Sequence, residues 1–128
     1  MTGGDDEKNW DPAEIVQRYL AGARDFRGLT IEHRDGATAP SFLGTKLAGA
    51  DFSGSWIDGV DFTGAILAGV RFTGAHVKLC TFDGADLRDA DFSGAAIDAT
   101  TFERADLKGA AFDGASAYGY VYGPGERP

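Results

Sequence analysis

A large apolar residue recurs at every fifth position through most of this chain, and that spacing limits the fold more than any other feature. From Phe42 to Phe112, phenylalanine alternates with an aliphatic residue, so that phenylalanines stand ten positions apart. A helix buries residues with a period of about 3.6, and a strand buries them with a period of 2. Because five is odd, each step of five would turn a strand residue to the opposite face. The spacing therefore predicts a third geometry.

Two other positions of the five-residue unit also repeat. The residue two before each central apolar residue is usually alanine or serine, and the residue two after it is usually glycine. One large and one small side chain can then point inward, while glycine permits a corner without a Cβ clash. A chain that turns after every five residues winds around an axis, and its stacked turns close the backbone hydrogen bonds. Some units depart from the pattern and are expected to loosen their corners without breaking the phase: Leu79, Asp89, Ala99 and Arg104 replace glycine, and Val60 and Val70 replace the small residue.

Charged residues indicate that one turn takes four units. Asp51, Arg71 and Asp91 alternate in sign at a spacing of twenty residues. With four units per turn, they form a column of neighbours whose attraction is worth about 0.2–1 kcal/mol per pair. Phenylalanines then line two opposite walls, and aliphatic residues line the other two. A second column of the same kind is Asp58, Lys78 and Asp98.

The predicted core is the set of central residues, which should fill the coil and leave it dry. Cys80 is expected to occupy a small inward slot beside them. The predicted core residues are Phe42, Leu47, Phe52, Ile57, Phe62, Leu67, Phe72, Val77, Phe82, Leu87, Phe92, Ile97, Phe102, Leu107 and Phe112.

The two ends do not follow the repeat. Asp11 followed by Pro12 is a typical helix start, and the apolar stripe after it should cover the first turn of the solenoid. The predicted organisation is a disordered N-terminus (1–9), a capping helix (10–22), a first coil and loop (23–41), the β-helix (42–122) and a flexible tail (123–128).

The repeated segments ADFSG (50–54), VDFTG (60–64), ADLRD (85–89) and ADFSG (90–94) resemble the pentapeptide repeat family. The resemblance covers about two thirds of the chain. It implies an all-β solenoid, a right-handed four-sided parallel β-helix. Some members of the family pair through their C-terminal ends, with helices that this chain lacks.

Few residues suggest chemistry. A net charge of −8 disfavours direct binding to nucleic acid or to an anionic membrane. The single cysteine excludes an intramolecular disulfide and a cysteine metal cluster, and His33 and His76 are far apart. We expect no catalytic, cofactor or metal site, and therefore no enzyme. The acidic N-terminus is not a signal peptide and no apolar run is long enough to span a membrane, so a cytoplasmic protein is expected.

The sequence thus predicts a protein–protein interaction or structural scaffold module that acts through its outer faces and its C-terminal end. His76 follows Trp56 by twenty residues, so the two rings should stack on one outer face. The tyrosines near the end either fold over the last coil and seal it, or pair two subunits as a homodimer. The candidate contact residues are Trp56, Ile66, His76, Tyr118, Tyr120 and Tyr122.

An alternative follows from the resemblance. Certain pentapeptide repeat proteins bind bacterial DNA gyrase by imitating duplex DNA and confer quinolone tolerance, and the acidic balance of this chain fits that role. Arg71 and Lys78, however, interrupt two acidic columns. Four to five coils at about 4.8 Å each would span roughly 20–25 Å, less than one duplex turn of about 34 Å.

Overall fold

The computed structural model describes residues 8–128, and its backbone winds into a four-sided coil. Beyond the first coil, successive turns pair in parallel at a spacing of twenty residues. Ser41 pairs with Asp61, Asp61 with Thr81, and Thr81 with Thr101. Twenty residues contain four central apolar residues, so each side of the coil is one five-residue unit. The pairing confirms the predicted parallel β-helix and its four units per turn.

Regular elements are short because every side ends after five residues. Most rungs between coils are therefore single bridged residues, and in the described part of the chain only one wall carries longer parallel strands. There Ile31 lies in register with Ile57, and Ile57 with Val77. The elements are α1 (Pro12–Leu20), β1 (Thr30–Glu32), β2 (Trp56–Asp58), β3 (His76–Lys78), β4 (Ser116–Ala117) and β5 (Tyr120–Val121).

Two stacks of phenylalanine rings fill the interior of the coil. Neighbours within a stack have ring centroids 4.6–5.5 Å apart and nearly parallel planes. The two stacks meet edge to face at 5.5–5.9 Å, an arrangement that favours aromatic pairs. The interior is thus packed with rings, as predicted. The first Phe stack is Phe26, Phe52, Phe72, Phe92 and Phe112, and the second Phe stack is Phe42, Phe62, Phe82 and Phe102.

The corners hold their geometry even where glycine is missing. The glycines that end the units have positive φ, and the four residues that replace glycine take the same left-handed conformation at φ 57–60°. This conformation costs an L-residue roughly 1–2 kcal/mol relative to the right-handed region. The phase of the repeat survives because the stacked core outweighs that strain. The four residues are Leu79, Asp89, Ala99 and Arg104.

The first coil contains a loop and is covered by α1. Thr30 pairs with Trp56 at a spacing of 26 residues, so six residues are inserted between Ile31 and Phe42, where a loop was predicted. The helix is shorter than the predicted 10–22. It begins after Asp11, whose carboxylate accepts a hydrogen bond from the Ala13 amide at 3.0 Å. Its Ile15 is fully buried against the coil, as expected for a capping helix.

The N-terminal boundary differs from the prediction of disorder through residue 9. Residues 1–7 of that segment lie outside the described part of the chain, but Asn9 is held in place. It forms a parallel bridge with Thr30. Its side chain also accepts from the Glu32 amide at 2.8 Å and donates to the Glu32 carbonyl at 3.0 Å. A single asparagine thus extends the first sheet by one rung.

The predicted C-terminal boundary of the β-helix, residue 122, is also wrong. The five-residue rhythm stops at Ala117. Tyr118 (φ 51°) and Gly119 (φ 82°) then form a two-residue turn, and β5 returns antiparallel to β4. Two consecutive residues with positive φ are typical of tight hairpins. The last rung of the structure is therefore a reversed strand.

Candidate functional site at the C-terminal end

The C-terminal end of the coil leaves part of the core uncovered. Phe102 and Leu107 are half-buried, whereas Phe82 and Leu87, one coil earlier, are completely buried. Both were predicted as core residues, and both do point inward. They belong to the last coil within residues 8–128, however, and in that part of the chain no further coil covers them. Ala105 and Ala110 are half-buried for the same reason.

Backbone groups at this end also lack partners. In the preceding coil the Phe82 amide donates to the Thr101 carbonyl, and the Gly84 amide donates to the Glu103 carbonyl, both at 2.8 Å. Nothing in residues 8–128 accepts from the equivalent amides of the last coil, which are those of Phe102, Arg104, Leu107 and Gly109. We call residues 100–109 the open edge. A row of unpaired strand groups readily pairs with another chain.

The rest of the end is covered by the chain itself. The Tyr122 amide donates to the Ala115 carbonyl, and the Gly114 amide donates to the Tyr122 carbonyl, both at 2.8 Å. The Tyr122 ring lies 6.4 Å from the ring of Phe112, which is fully buried. Tyr118 and Tyr120 remain 77% and 54% exposed. Tyr122 thus folds over the last coil, which is one of the two alternatives that the sequence left open. Tyr118 and Tyr120 remain accessible to a second subunit.

The segment predicted as a flexible tail, 123–128, makes defined contacts. The Gly125 amide donates to the Asp113 carboxylate at 3.3 Å, and the Arg127 guanidinium donates to the Leu107 carbonyl on the open edge. Glu126 folds back onto the hairpin, where its Oε1 accepts from the Tyr120 hydroxyl at 2.8 Å. We call residues 123–127 the C-terminal strap.

The other candidate contact residues lie on the outer walls, away from the open edge. Trp56 and His76 stack with ring centroids 3.7 Å apart, and His76 Nε2 lies 2.8 Å from an Asp58 carboxylate oxygen. Ile66 is 37% exposed on another wall, in register with Lys46 and Asp86. The structure therefore brings Trp56 and His76 together and places Ile66 on a different wall.

Many carboxylates on the outer walls are paired with basic groups. Arg71 lies in register between Asp51 and Asp91, and Lys78 Nζ is 3.7 Å from an Asp98 oxygen, so both predicted columns form. Hydrogen bonds from the Arg27 side chain lower the pKa of Asp25 from its ordinary value of 3.8 to about 2. The Arg88 side chain likewise lowers the pKa of Asp86. The acidic surface is thus interrupted by cations.

The described residues include few groups that could bind a metal ion or act as a nucleophile. Within residues 8–128, no group of three or more His, Cys, Asp or Glu side chains could hold a metal ion. Burial raises the pKa of the Cys80 thiol to about 12, so thiolate is scarce at neutral pH. The described helix is neither long enough nor apolar enough to cross a membrane.

A groove that the sequence did not predict lies between α1 and the inserted loop. Its volume is about 700 Å³ and its walls include Trp10, Val16 and Pro40. Two of the polar side chains at its rim already have partners. Asn9 binds the Glu32 backbone, and Asp11 caps the helix. The groove depends on how a non-repeating loop folds, so periodicity gives no sign of it.

Comparison with known proteins agrees with the repeat geometry. A family model described as pentapeptide repeats (9 copies) matches residues 78–116, and another described as pentapeptide repeats (8 copies) matches residues 41–64. No curated protein matches the sequence.

Among solved structures, a pentapeptide repeat protein from Nostoc PCC 7120 is 25% identical over 92% of this chain and 88% of that one, with a TM-score of 0.49. A pentapeptide repeat protein from the Arabidopsis thaliana thylakoid lumen is 18% identical over 70% and 66%, with a TM-score of 0.42. The plasmid-mediated fluoroquinolone resistance protein QnrB1 is 20% identical over 70% and 48%, with a TM-score of 0.38.

Proposed function

We propose that this chain, which belongs to the pentapeptide repeat family, is a non-catalytic protein–protein interaction module whose main binding surface is its C-terminal end. One observation supports the proposal above the others. The N-terminal end of the coil is covered by α1, whereas the open edge leaves Phe102 and Leu107 half-exposed beside unpaired backbone amides. Solenoids with an uncovered end bind another chain there or associate with copies of themselves.

A second copy of this chain is the partner that the end fits best. Exposed apolar side chains and unpaired strand groups lie on the same end of the same molecule: Tyr118 and Val121 of the hairpin are exposed, and Phe102 of the open edge is half-buried. A two-fold axis lets each copy offer its hairpin to the open edge of the other. Such contacts would bury apolar surface on both copies and pair the free amides. We therefore infer a homodimer joined end to end.

Sedimentation velocity over a range of concentrations tests this proposal. The wild-type protein should sediment as a dimer at high concentration, and Phe102→Asp should remain a monomer because it places a charge in the contact. Tyr118→Ser changes a residue that is 77% exposed, so it should weaken the dimer without disturbing the fold. Circular dichroism would confirm that both variants keep the coil.

Ile66→Ser is the matched control, since it removes an exposed apolar side chain from an outer wall. It should dimerise as the wild type does. Pairing through the end is wrong if the wild type is a monomer at every concentration, or if Phe102→Asp and Tyr118→Ser dimerise normally. Loss of the dimer in Ile66→Ser alone would move the binding surface to that wall.

Binding to DNA gyrase as a DNA mimic is the less favoured alternative. The net charge of −8 supports it, but a mimic needs continuous rows of carboxylates. Here Arg71 separates Asp51 from Asp91, and Lys78 lies beside Asp98. A gyrase supercoiling reaction with and without a quinolone tests this function directly. Inhibition or protection at low micromolar protein would establish mimicry, and no effect would exclude it.

A further inference from the structure

We propose that the C-terminal strap is a displaceable competitor for the open end, which weakens pairing there until it is moved aside. This inference rests on the proposed function, because the strap regulates the same surface. Its contacts, its exposure and its incomplete coverage of the core each support that role.

Glu126 anchors the strap. Its Oε1 accepts from the Tyr120 hydroxyl at 2.8 Å and from the Gly123 amide at 2.6 Å, and the Glu126 amide donates to the Gly123 carbonyl at 3.1 Å. These bonds fold the segment after β5 into a tight loop. The hydrogen bonds to Glu126 also lower the pKa of its carboxyl group, so it is charged at neutral pH. The Glu126 side chain thus links the hairpin to the strap.

The far end of the strap reaches the open edge. The Gly125 amide contacts Asp113, beside the first Phe stack, and the Arg127 guanidinium binds the carbonyl of Leu107. A second chain that approaches the amide of Leu107 or Gly109 therefore meets Arg127 first. The strap and an incoming chain compete for one side of the end.

The strap does not behave as a structural cap. Residues 124–127 are exposed and contribute no buried apolar side chain, so polar contacts alone hold them. Exposed contacts of this kind are worth little, and such segments open more readily than the core. Moreover, Phe102 and Leu107 remain half-buried with the strap in place. The strap therefore touches the backbone of the open edge at one carbonyl, that of Leu107, and leaves the apolar surface of the end available.

Two pairs of variants of the 128-residue chain test the inference. Glu126→Ala removes the anchor and Arg127→Ala removes the contact with Leu107, while Glu126→Gln and Arg127→Lys keep an acceptor and a donor. Sedimentation equilibrium gives the dimer dissociation constant of each. Both alanine variants should dimerise about 3- to 10-fold more tightly, the effect of losing one exposed hydrogen bond to a charged group. The conservative variants should stay closer to the wild type.

The two alanine variants distinguish the effect of releasing the strap from the effect of changing the net charge. Glu126→Ala makes the protein less negative and Arg127→Ala makes it more negative, so a charge effect would move the two dissociation constants in opposite directions. Strap release moves both toward tighter pairing. Hydrogen exchange of the Gly123 amide should also become faster in Glu126→Ala, because its acceptor is lost.

The possible outcomes distinguish the two proposals. Suppose that the wild type dimerises but the alanine variants dimerise no more tightly, or that the Gly123 amide exchanges equally fast in Glu126→Ala. Either result would overturn the proposed role of the strap and leave end-to-end pairing intact. A wild type that is a monomer at every concentration, with alanine variants that dimerise, would support the strap but contradict a homodimer of the wild-type protein. If the wild type and both alanine variants are all monomers, both proposals are wrong.

Discussion

The indole ring of Trp56 lies flat on the imidazole ring of His76, with centroids 3.7 Å apart and planes within 10° of parallel. The two residues stand opposite each other on β2 and β3, which the twenty-residue spacing predicted. Each ring covers a face of the other on the outside of the coil. Stacking thus stabilises the outer wall as well as the core.

We predict that this stack contributes a measurable coupling energy. In a double-mutant cycle with Trp56→Ala and His76→Ala, urea unfolding should give a coupling of about 0.5–1.5 kcal/mol, as for other stacked aromatic pairs. A cycle of Trp56→Ala with Ile66→Ala serves as the control, because Ile66 lies on a different wall and the two effects should add. Equal coupling in both cycles would contradict a specific stack.

Phenylalanines in the middle and at the end of the coil should differ in their contribution to stability. Phe72 is completely buried, so Phe72→Ala should lower the free energy of unfolding by about 3–5 kcal/mol. Phe102 is half-buried and is the last ring of its stack within residues 8–128, so Phe102→Ala should cost roughly half as much. Denaturant unfolding measures both. The measurements are made at concentrations where the protein is a monomer, because a dimer would cover Phe102. Equal losses of unfolding free energy in the two variants would contradict an open end.

The left-handed corner at Ala99 should be relieved by glycine. Ala99 has φ 58° and is exposed, so Ala99→Gly removes strain without removing a packed side chain. We expect a gain of about 0.5–1 kcal/mol in the free energy of unfolding, because the relief of strain exceeds the entropy that glycine loses. Ala68→Gly, at a position without positive φ, should instead destabilise the protein. If both changes destabilise the protein, Ala99 is not strained in its left-handed conformation.

Periodicity determined which features could be predicted from the sequence. The Phe stacks, the burial of Cys80 and the pairing of Asp51 with Arg71 all follow from counting residues in fives, because every coil repeats the same environment. The turn at Tyr118 could not be predicted in this way, because it places a tyrosine at positive φ where the repeat would continue. The bridge at Asn9 and the strap contact of Arg127 likewise depend on single side chains outside the repeat. The candidate site lies where the repeat stops, so the sequence indicated its location and its tyrosines but not its open edge.

The ion pair of Asp25 and Arg27 predicts an acid-dependent contribution to stability. The Arg27 side chain donates to Asp25 at 2.9 Å and lowers the pKa of that carboxyl group from 3.8 to about 2. A lowered folded-state pKa stabilises the folded protein above the unfolded value, and this contribution is lost as the pH falls from about 3.8 to about 2. NMR titration of Asp25 should therefore show a midpoint near 2, and Arg27→Ala should raise it toward 3.8. Arg34→Ala, which removes an arginine elsewhere in the first coil, should leave the midpoint unchanged.

Cys80 should be unreactive until the coil opens. Its side chain is buried, its Sγ lies 3.2 Å from the Lys78 carbonyl, and burial raises its pKa to about 12. Because the thiolate is the reactive species, an aromatic disulfide reagent at mildly alkaline pH should label the native protein very slowly and the urea-unfolded protein at once. Ser41→Cys in a Cys80→Ala background provides an exposed thiol on the first coil as the control, and it should react in the native state. Rapid labelling of Cys80 in the native protein would mean that its coil opens locally. In the packed structure the thiol is protonated and the reagent cannot reach it.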